Sequence, residues 1–394
     1  MLPEIKAAAA TEKLKFIIKK RIMENLETRK TAVESARQII VKAGTRLLTD
    51  RESIAALVEG IAHLRQAGKK VLLVSSGAVG MGMELLNLKR RPKELAAKQA
   101  LAAVGQTRLM AIYAEECAKY GFLPAQLLLT AADLNSRSRY LNVMNCINAL
   151  WEKDLLPVIN ENDPVSVAEL KFGDNDKLAG LLCSLTGSEL AVILTTEDGL
   201  RDRNPDGTLG ARIPIVPKLT AAVKALAGGT DNSDYSVGGM SSKLIAASIA
   251  TAAGAHLWIA DGRKKGILKK ILAGADEGTL FPPRERIPGK KRYLRYFSRV
   301  AGRVVVDAGA VDALLQKGKS LLSSGMTSVI GDFKRGDTVE IASAEGTVIA
   351  RGLVNFSAAE CRKIAGVNSD ELHKILGNET GDEVIHRNNL TLMD

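Results

Sequence analysis

Short, unbroken apolar runs recur along the first three-quarters of the chain, each closing on glycine or small polar residues. Gln38-Ile39-Ile40-Val41-Lys42 ends in Ala43-Gly44-Thr45, and Val71-Leu72-Leu73-Val74 ends in Ser75-Ser76-Gly77-Ala78-Val79-Gly80. Similar runs stand at Gln126–Leu129, Leu156–Ile159, Leu190–Leu194 and His256–Ala260. Runs of four to six apolar residues bounded by turn formers predict buried strands. Between them the apolar period lengthens to that of a helix. Ile54, Leu57, Val58, Ile61 and Leu64 mark one face of a helix that Gly68 stops. Continuous apolar strands alternating with helices predict an α/β fold, a three-layer αβα sandwich around a largely parallel sheet. In such sheets ligands sit at the carboxyl ends of the strands, where the glycine and polar clusters fall.

After Phe281-Pro282-Pro283 the texture changes to short strand-like units separated by regular turns, which predicts a small β-rich domain. The organisation expected is a helical, charged N-terminal extension (1–35), a main α/β domain (36–283), a basic linker (284–300), the β-rich domain (301–380) and a tail (381–394). Of the net charge of +11, residues 1–35 carry +3, 36–283 carry +5, 284–303 carry +7 and 304–394 carry −4. The basicity is thus concentrated in one strip, read as a solvated connector rather than a nucleic-acid face. The 46% hydrophobic and 25% charged content is that of a globular protein. No apolar run reaches the length that spans a bilayer, and the start of the chain lacks a signal-peptide pattern. The four cysteines follow no Cys-x-x-Cys spacing, so neither a zinc site nor a disulfide framework is expected, and a cytoplasmic location fits.

The chemistry-bearing residues gather at a few of these loops. Lys42 stands at a strand end beside Gly44, and Lys243 follows Gly238-Gly239-Met240-Ser241-Ser242 at the start of a helix. Glycines before a helix N-terminus leave main-chain N–H groups for phosphate, and two lysines there suit a transferring phosphoryl group. The Ser75–Gly82 loop reads equally as a phosphate loop or a tight strand-to-helix turn. It is not a dinucleotide fingerprint, because Leu85 stands where the third glycine belongs; a P-loop match at Ala313–Ser320 fails for want of its first glycine. Asn160-Glu161-Asn162-Asp163 and Gly173-Asp174-Asn175-Asp176 collect carboxylates and carboxamides within one short stretch. Such groups grip an ammonium group, orient lysines or position Mg²⁺.

In this order, the motifs resemble the amino acid kinase family, and within it the members that phosphorylate free glutamate. Val41–Thr45, Ser75–Ala78, Lys98–Gln106, the two Asn/Asp loops and Gly238–Lys243 each have a counterpart in that pattern. The segment from Gly302 to Asp337 resembles a PUA domain. The resemblance implies ATP-dependent phosphorylation of the side-chain carboxylate of L-glutamate to L-glutamyl 5-phosphate, with Mg²⁺ accompanying ATP. That is the first step of proline biosynthesis, and proline would be a feedback inhibitor. Lys42, Lys243 and Asp176 would be catalytic, and Ser76, Gly77, Ala78, Asn160, Asp163, Asp174 and Asn175 would bind glutamate. Thr195, Thr196, Val237, Gly238, Gly239, Met240, Ser241 and Ser242, with the two lysines, would bind ATP. No resident protein metal site is expected. Thr196 departs from the family's usual aspartate, Val237 from a common threonine, and Arg201 from an aromatic. A homo-oligomer (dimer or tetramer) and a downstream partner, glutamate-5-semialdehyde dehydrogenase, are also implied. The alternatives are another amino acid or carbamate kinase, or RNA binding through the PUA domain, which the net acidic tail disfavours.

Overall fold

Seven strands form one sheet in the order β3-β4-β2-β1-β5-β8-β9. The structure is a computed structural model that describes residues 20, 22–166, 174–228, 239–377 and 382–393. The strands are β1 (Gln38–Ala43), β2 (Lys70–Val74), β3 (Pro124–Leu129), β4 (Leu156–Glu161), β5 (Leu190–Thr195), β8 (His256–Asp261) and β9 (Thr279–Phe281). A small hairpin, β6 (Arg201–Arg203) and β7 (Leu209–Arg212), stands apart from the sheet. All neighbours pair in parallel except β8 and β9, which are antiparallel. Parallel strands need both faces covered, which is why they read as continuous apolar runs.

On one face lie α1 (22–34), α2 (Arg51–Gln66), α4 (Leu95–Ala118) and α10 (Ile267–Leu272), whose apolar residues share one core with Ile39, Val41 and Ala43 of β1. On the other, α7 (Asn175–Thr186) packs on β1 and β5, and α9 (Met240–Ala252) on α7 and β8. Side chains alternate across a strand, so Ile40 and Lys42 face α7. Shorter helices complete this unit: α3 (Ala78–Leu85), part of α6 (Arg137–Glu152) and α8 (Ala221–Ala225). Helix α5 (Ala131–Asn135) and residues 134–140 fall at its limit, and residues 134–140 cluster with the second unit. No helix among the described residues is long and apolar enough to cross a membrane.

The extension 1–35 is more than an appendage. Residues 1–19 and 21 lie outside the described residues, but Ala32, Val33 and Ala36 join the core and Arg29 is fully buried. Its guanidinium lies over the ring of Trp258 and donates to the carbonyls of Pro214, Ala275, Glu277 and Gly278.

The second unit comprises residues 287–394 with 134–140. Its five-stranded sheet has the order β12-β10-β13-β14-β16, with β10 (Val300–Val306) parallel to β13 (Thr338–Ala342) and the other pairs antiparallel. The remaining strands are β11 (Leu321–Leu322), β12 (Met326–Gly331), β14 (Val348–Leu353), β15 (Glu383–Ile385) and β16 (Leu390–Leu392). Helices α11 (Gly289–Tyr296), α12 (Ala308–Leu315), α13 (Ala358–Ile364) and α14 (Leu372–Leu376) accompany them.

Two sequence-based boundaries differ here. Within the strip read as a solvated linker, Gly289–Tyr296 is a helix, and Arg292 and Arg295 are buried, with Arg295 Nη1 donating to Leu392 O at 2.9 Å. Leu294 and Phe297 supply an apolar stripe that the charge count concealed. The tail from 381 also belongs to this unit. Its β15 and β16 pair with β11 and β14 and bury Val384, Ile385 and Leu390. Strands of three residues carry too little periodicity to be read from sequence.

Candidate active site

The carboxyl ends of β1, β2, β4, β5 and β8 bring most of the singled-out residues into one region. Lys42 is the penultimate residue of β1, in register with Val74 of β2 and Ile193 of β5. Helix α7 starts at Asn175, capped by Asp174, whose Oδ1 accepts from the N–H of Asp176. Asp176 is completely buried and is shared by two ammonium groups. Its Oδ1 lies 2.5 Å from Lys42 Nζ and its Oδ2 2.9 Å from Lys243 Nζ. Lys42 and Lys243 are themselves only 6% and 4% exposed, so these are interior charges. Such charges persist inside a protein only when paired.

The approach of Asp176 to Lys243 is set by a helix crossing. A Cβ at Gly180 would come within 2.8 Å of the Ala246 carbonyl oxygen. Thus α7 meets α9 one turn beyond Asp176 and one turn beyond Lys243. Ser242 donates to Asp174 Oδ2 at 2.5 Å and lies 3.3 Å from Asp176 Oδ2.

A second, neutral network adjoins this charged one. Asn175 Nδ2 lies within hydrogen-bond distance of Ser75 O (2.8 Å), Ser76 Oγ (2.9 Å) and Asn160 Oδ1 (3.0 Å). Asn160, buried near the end of β4, donates through Nδ2 to Gln106 Oε1 of α4 at 2.9 Å. Ser75 Oγ is held by the buried Tyr113 hydroxyl at 2.9 Å, which fixes the backbone just before Ser76. Gly77, at φ 98°, turns the chain into α3, where a left-handed residue without a Cβ is required. Ala78 is buried in the first turn of α3.

The start of α3 is seated by another glycine contact. A Cβ on Gly105 would lie 1.8 Å from Ala78 O and 2.4 Å from Gly82 N. Gly105→Ala must therefore push α4 away from α3 and carry the Ser76–Ala78 turn with it. A loss of about 2 kcal/mol is expected from such overpacking, read by urea unfolding. Unchanged stability would count against the contact.

The two acidic residues of α7 titrate in opposite directions. Burial pushes Asp174 upward, neighbouring Asp176 adds to it, and Lys42 and Ser242 only partly oppose it. Burial acts the same way on Asp176, but Lys42 and Lys243 outweigh it and hold this carboxyl below the usual aspartate range. A raised folded-state pKa means that the native state loses relative stability as pH rises through that pKa. Asp174→Asn removes this cost; its one oxygen can still cap the Asp176 N–H, while its NH₂ faces Ser242 Oγ, whose hydroxyl can turn to Gly239 O. The variant should unfold at higher temperature than the parent at pH 8. The gap should close as pH falls toward the ordinary aspartate range of about 4. A variant no more stable at pH 8 would contradict the upward shift.

The remaining sequence-derived positions are spread along the same edge. Asp163 is half-buried on the turn after β4, and Lys177 is exposed on α7. Thr195 ends β5 in register with Asp261, and its carbonyl accepts from Gly262 N–H at 2.8 Å. Arg263 grips both oxygens of Asp261 and donates to Thr196 O at 2.6 Å. Gly239, Met240 and Ser241 form the N-terminus of α9, with Ser241 exposed. Gly173, Val237 and Gly238 lie outside the described residues. Arg201 is bound to Asp198 and to Gly210 O within the β6–β7 hairpin. Sequence reasoning missed Tyr113, Gly180 and the bonding of Ser242. Only Gly180, a lone glycine inside an apolar helical run, left a signal.

A family model described as the amino acid kinase family matches residues 37–261. The chain belongs to the amino acid kinase family. Its members are phosphotransferases, and the buried lysine–aspartate–lysine bridge lies inside the matched region of this amino acid kinase. A second model, for the PUA domain, matches residues 302–376. Among curated relatives, the glutamate 5-kinase of Trichlorobacter lovleyi is 43% identical over 93% of this chain and 99% of its own length. That of Desulfotalea psychrophila is 42% identical over 93% of this chain and 100% of its own. That of Thermus thermophilus is 42% identical over 91% and 98%.

Proposed function

We propose that this amino acid kinase transfers the terminal phosphoryl group of ATP to the side-chain carboxylate of L-glutamate, giving L-glutamyl 5-phosphate. The observation that carries the reading is Asp176 holding Lys42 and Lys243 at 2.5 and 2.9 Å beside the Asn175–Ser76–Asn160 network. A carboxylate needs no general base near pH 7, since its nucleophilic oxygen is already ionised. The barrier lies in bringing two anions together in line, and that calls for fixed positive charge and fixed position. Lys42 and Lys243 provide the charge, presented from β1 and α9 and kept in register by Asp176. Asn175, one residue from Asp176, and Ser76, hydrogen-bonded to Asn175, offer a carboxamide and a hydroxyl for the acceptor. The glutamate 5-kinase relatives, aligned along almost their whole length, support the same acceptor.

Among the described residues no group of three His, Cys, Asp or Glu side chains forms a metal cluster. The donor set suits Mg²⁺ that arrives on the nucleotide, bound by phosphates and water with at most one or two carboxylates. Asp174, with its raised pKa, and Asp176, saturated by lysines, are the nearest carboxylates. Thr195, Thr196 and the α9 N-terminus line the side assigned to ATP.

The same reading carries its wider setting. The product is an acyl phosphate, which a reducing partner, glutamate-5-semialdehyde dehydrogenase, would consume in the cytoplasm on the way to proline. Proline would inhibit, and the enzyme would act as a homo-oligomer. A coupled ATPase assay across glutamate, aspartate, N-acetylglutamate and carbamate tests the substrate. Turnover is expected with glutamate, and none with it would overturn the proposal.

A further inference from the structure

The polarity of the neutral network is set at both ends by main-chain groups that cannot reverse. Ser75 O only accepts, so Asn175 must present its NH₂ there. The N–H of Glu161 only donates, at 2.9 Å to Asn160 Oδ1, so Asn160 must turn its own NH₂ toward Gln106. Gln106 therefore offers Oε1 to Asn160, and its Nε2 is left as an obligate donor. Gln106 is only 7% exposed, and its Nε2 has no hydrogen-bond partner among the described residues. A buried donor without an acceptor costs free energy that evolution rarely leaves in place without use.

Three neighbouring contacts tie this part of α4 to the network around Asn175 and the start of α3. Asn160, its partner, also touches Asn175. The preceding residue, Gly105, abuts Ala78 in the first turn of α3. Two turns earlier on the same face of α4, Gln99 Nε2 donates to Ser166 O at 3.3 Å, and Ser166 is a buried residue whose hydroxyl also has no partner among the described residues. The order of the network then says which end of a substrate meets Gln106. Asn175 is adjacent in sequence to Asp176, which holds the two lysines, whereas Gln106 joins the network through Asn160.

We propose that Gln106 Nε2 donates to the α-carboxylate of the acceptor amino acid and so selects free α-amino dicarboxylic acids. This rests on the glutamate reading above. An ammonium group only donates and cannot satisfy Nε2, and the reacting carboxylate belongs at the lysine end. The α-carboxylate is the remaining acceptor. Gln106 would thus set affinity for the acceptor without contributing to phosphoryl transfer.

The test compares Q106E and Q106M with the parent. In Q106E the acceptor for Asn160 is kept and the donor becomes an anion facing the substrate carboxylate. KM for glutamate should rise about tenfold to a hundredfold, the worth of a hydrogen bond to a charged group, with KM for ATP and kcat within about twofold. The ratio of Q106E to parent KM should fall as pH is lowered from 8 to 6, because protonation restores a donor; titration of Asp174 is common to both enzymes and cancels. Q106M should show a similar rise with no such pH trend, and serves alone if Q106E does not fold. An unchanged KM for glutamate, equal rises in the KM values for glutamate and ATP, or a Q106E ratio that does not vary with pH would each overturn the assignment. Failure of the underlying reading looks different, since the parent itself would then show no glutamate-dependent turnover.

Discussion

Replacing Lys243 by alanine should lower kcat by a few hundredfold while leaving KM for glutamate nearly unchanged. Removing one preorganised charge-stabilising group from a water-poor site typically costs a factor of 10² to 10³. The ammonium of Lys243 is 4% exposed and fixed by Asp176 at 2.9 Å, so it is preorganised in this sense. Its stem rises from the first turn of α9, and that helix is held against α7 by the Gly180–Ala246 contact. Little reorganisation is left for the moment of transfer. The acceptor network through Asn175, Ser76 and Asn160 does not include Lys243, so ground-state binding of glutamate should survive. A Lys243→Met variant, which keeps most of the packed stem, should lose as much kcat. Steady-state kinetics of both variants, with thermal unfolding to show that they fold, decide the matter. A loss below tenfold would remove Lys243 from the chemistry.

The second large effect concerns stability. Arg29→Ala should destabilise the α/β unit by about 3 kcal/mol, from lost charged hydrogen bonds and a cavity left in the core. The guanidinium reaches four carbonyls that lie 185 to 249 residues further along the chain, and it stacks on Trp258. Burial pulls its pKa down to about 10, so it remains charged at neutral pH. Each carbonyl keeps another donor: Leu280 N for Pro214, Glu277 N for Ala275, Trp258 Nε1 for Glu277 and Arg212 Nη1 for Gly278. The loss is therefore graded rather than total. Arg29→Lys should recover little, because one ammonium cannot span carbonyls that a planar fork reaches together. Urea midpoints for the three proteins, at matched m-values, give the comparison. A shift under about 1 kcal/mol would mean that α1 is held by its apolar residues alone.

These two residues also show what a sequence makes legible. Lys42 and the Asp174–Asp176 segment stood out because charged and amide groups interrupt apolar strands at their carboxyl ends, where an α/β sheet keeps its loops. The same logic drew attention to Ser76 and to Lys243 behind its glycines. Arg29 was hidden by its neighbours. Glu24, Glu27 and Lys30 make its helix look solvated, and the carbonyls that hold it come from chain more than 180 residues away. Gly105 lay in plain view within Lys98–Gln106, yet a sequence does not say which backbone a helical glycine touches. Arg292 and Arg295 were counted as solvated charge for the same reason as Arg29. The alternation of strands and helices implies a largely parallel sheet, but the three-residue strands β15 and β16 are too short to carry a pattern.

The shared carboxylate of Asp176 also governs the protein at rest. Both ammonium groups are engaged by that one anion, and a second carboxyl group, that of Asp174, lies 4.0 Å from Lys42. A stray phosphate or sulfate must compete with a permanent internal counter-ion to be held there. An anion that reaches only one of the two lysines leaves the other still paired with Asp176, so a ligand spanning both has the advantage.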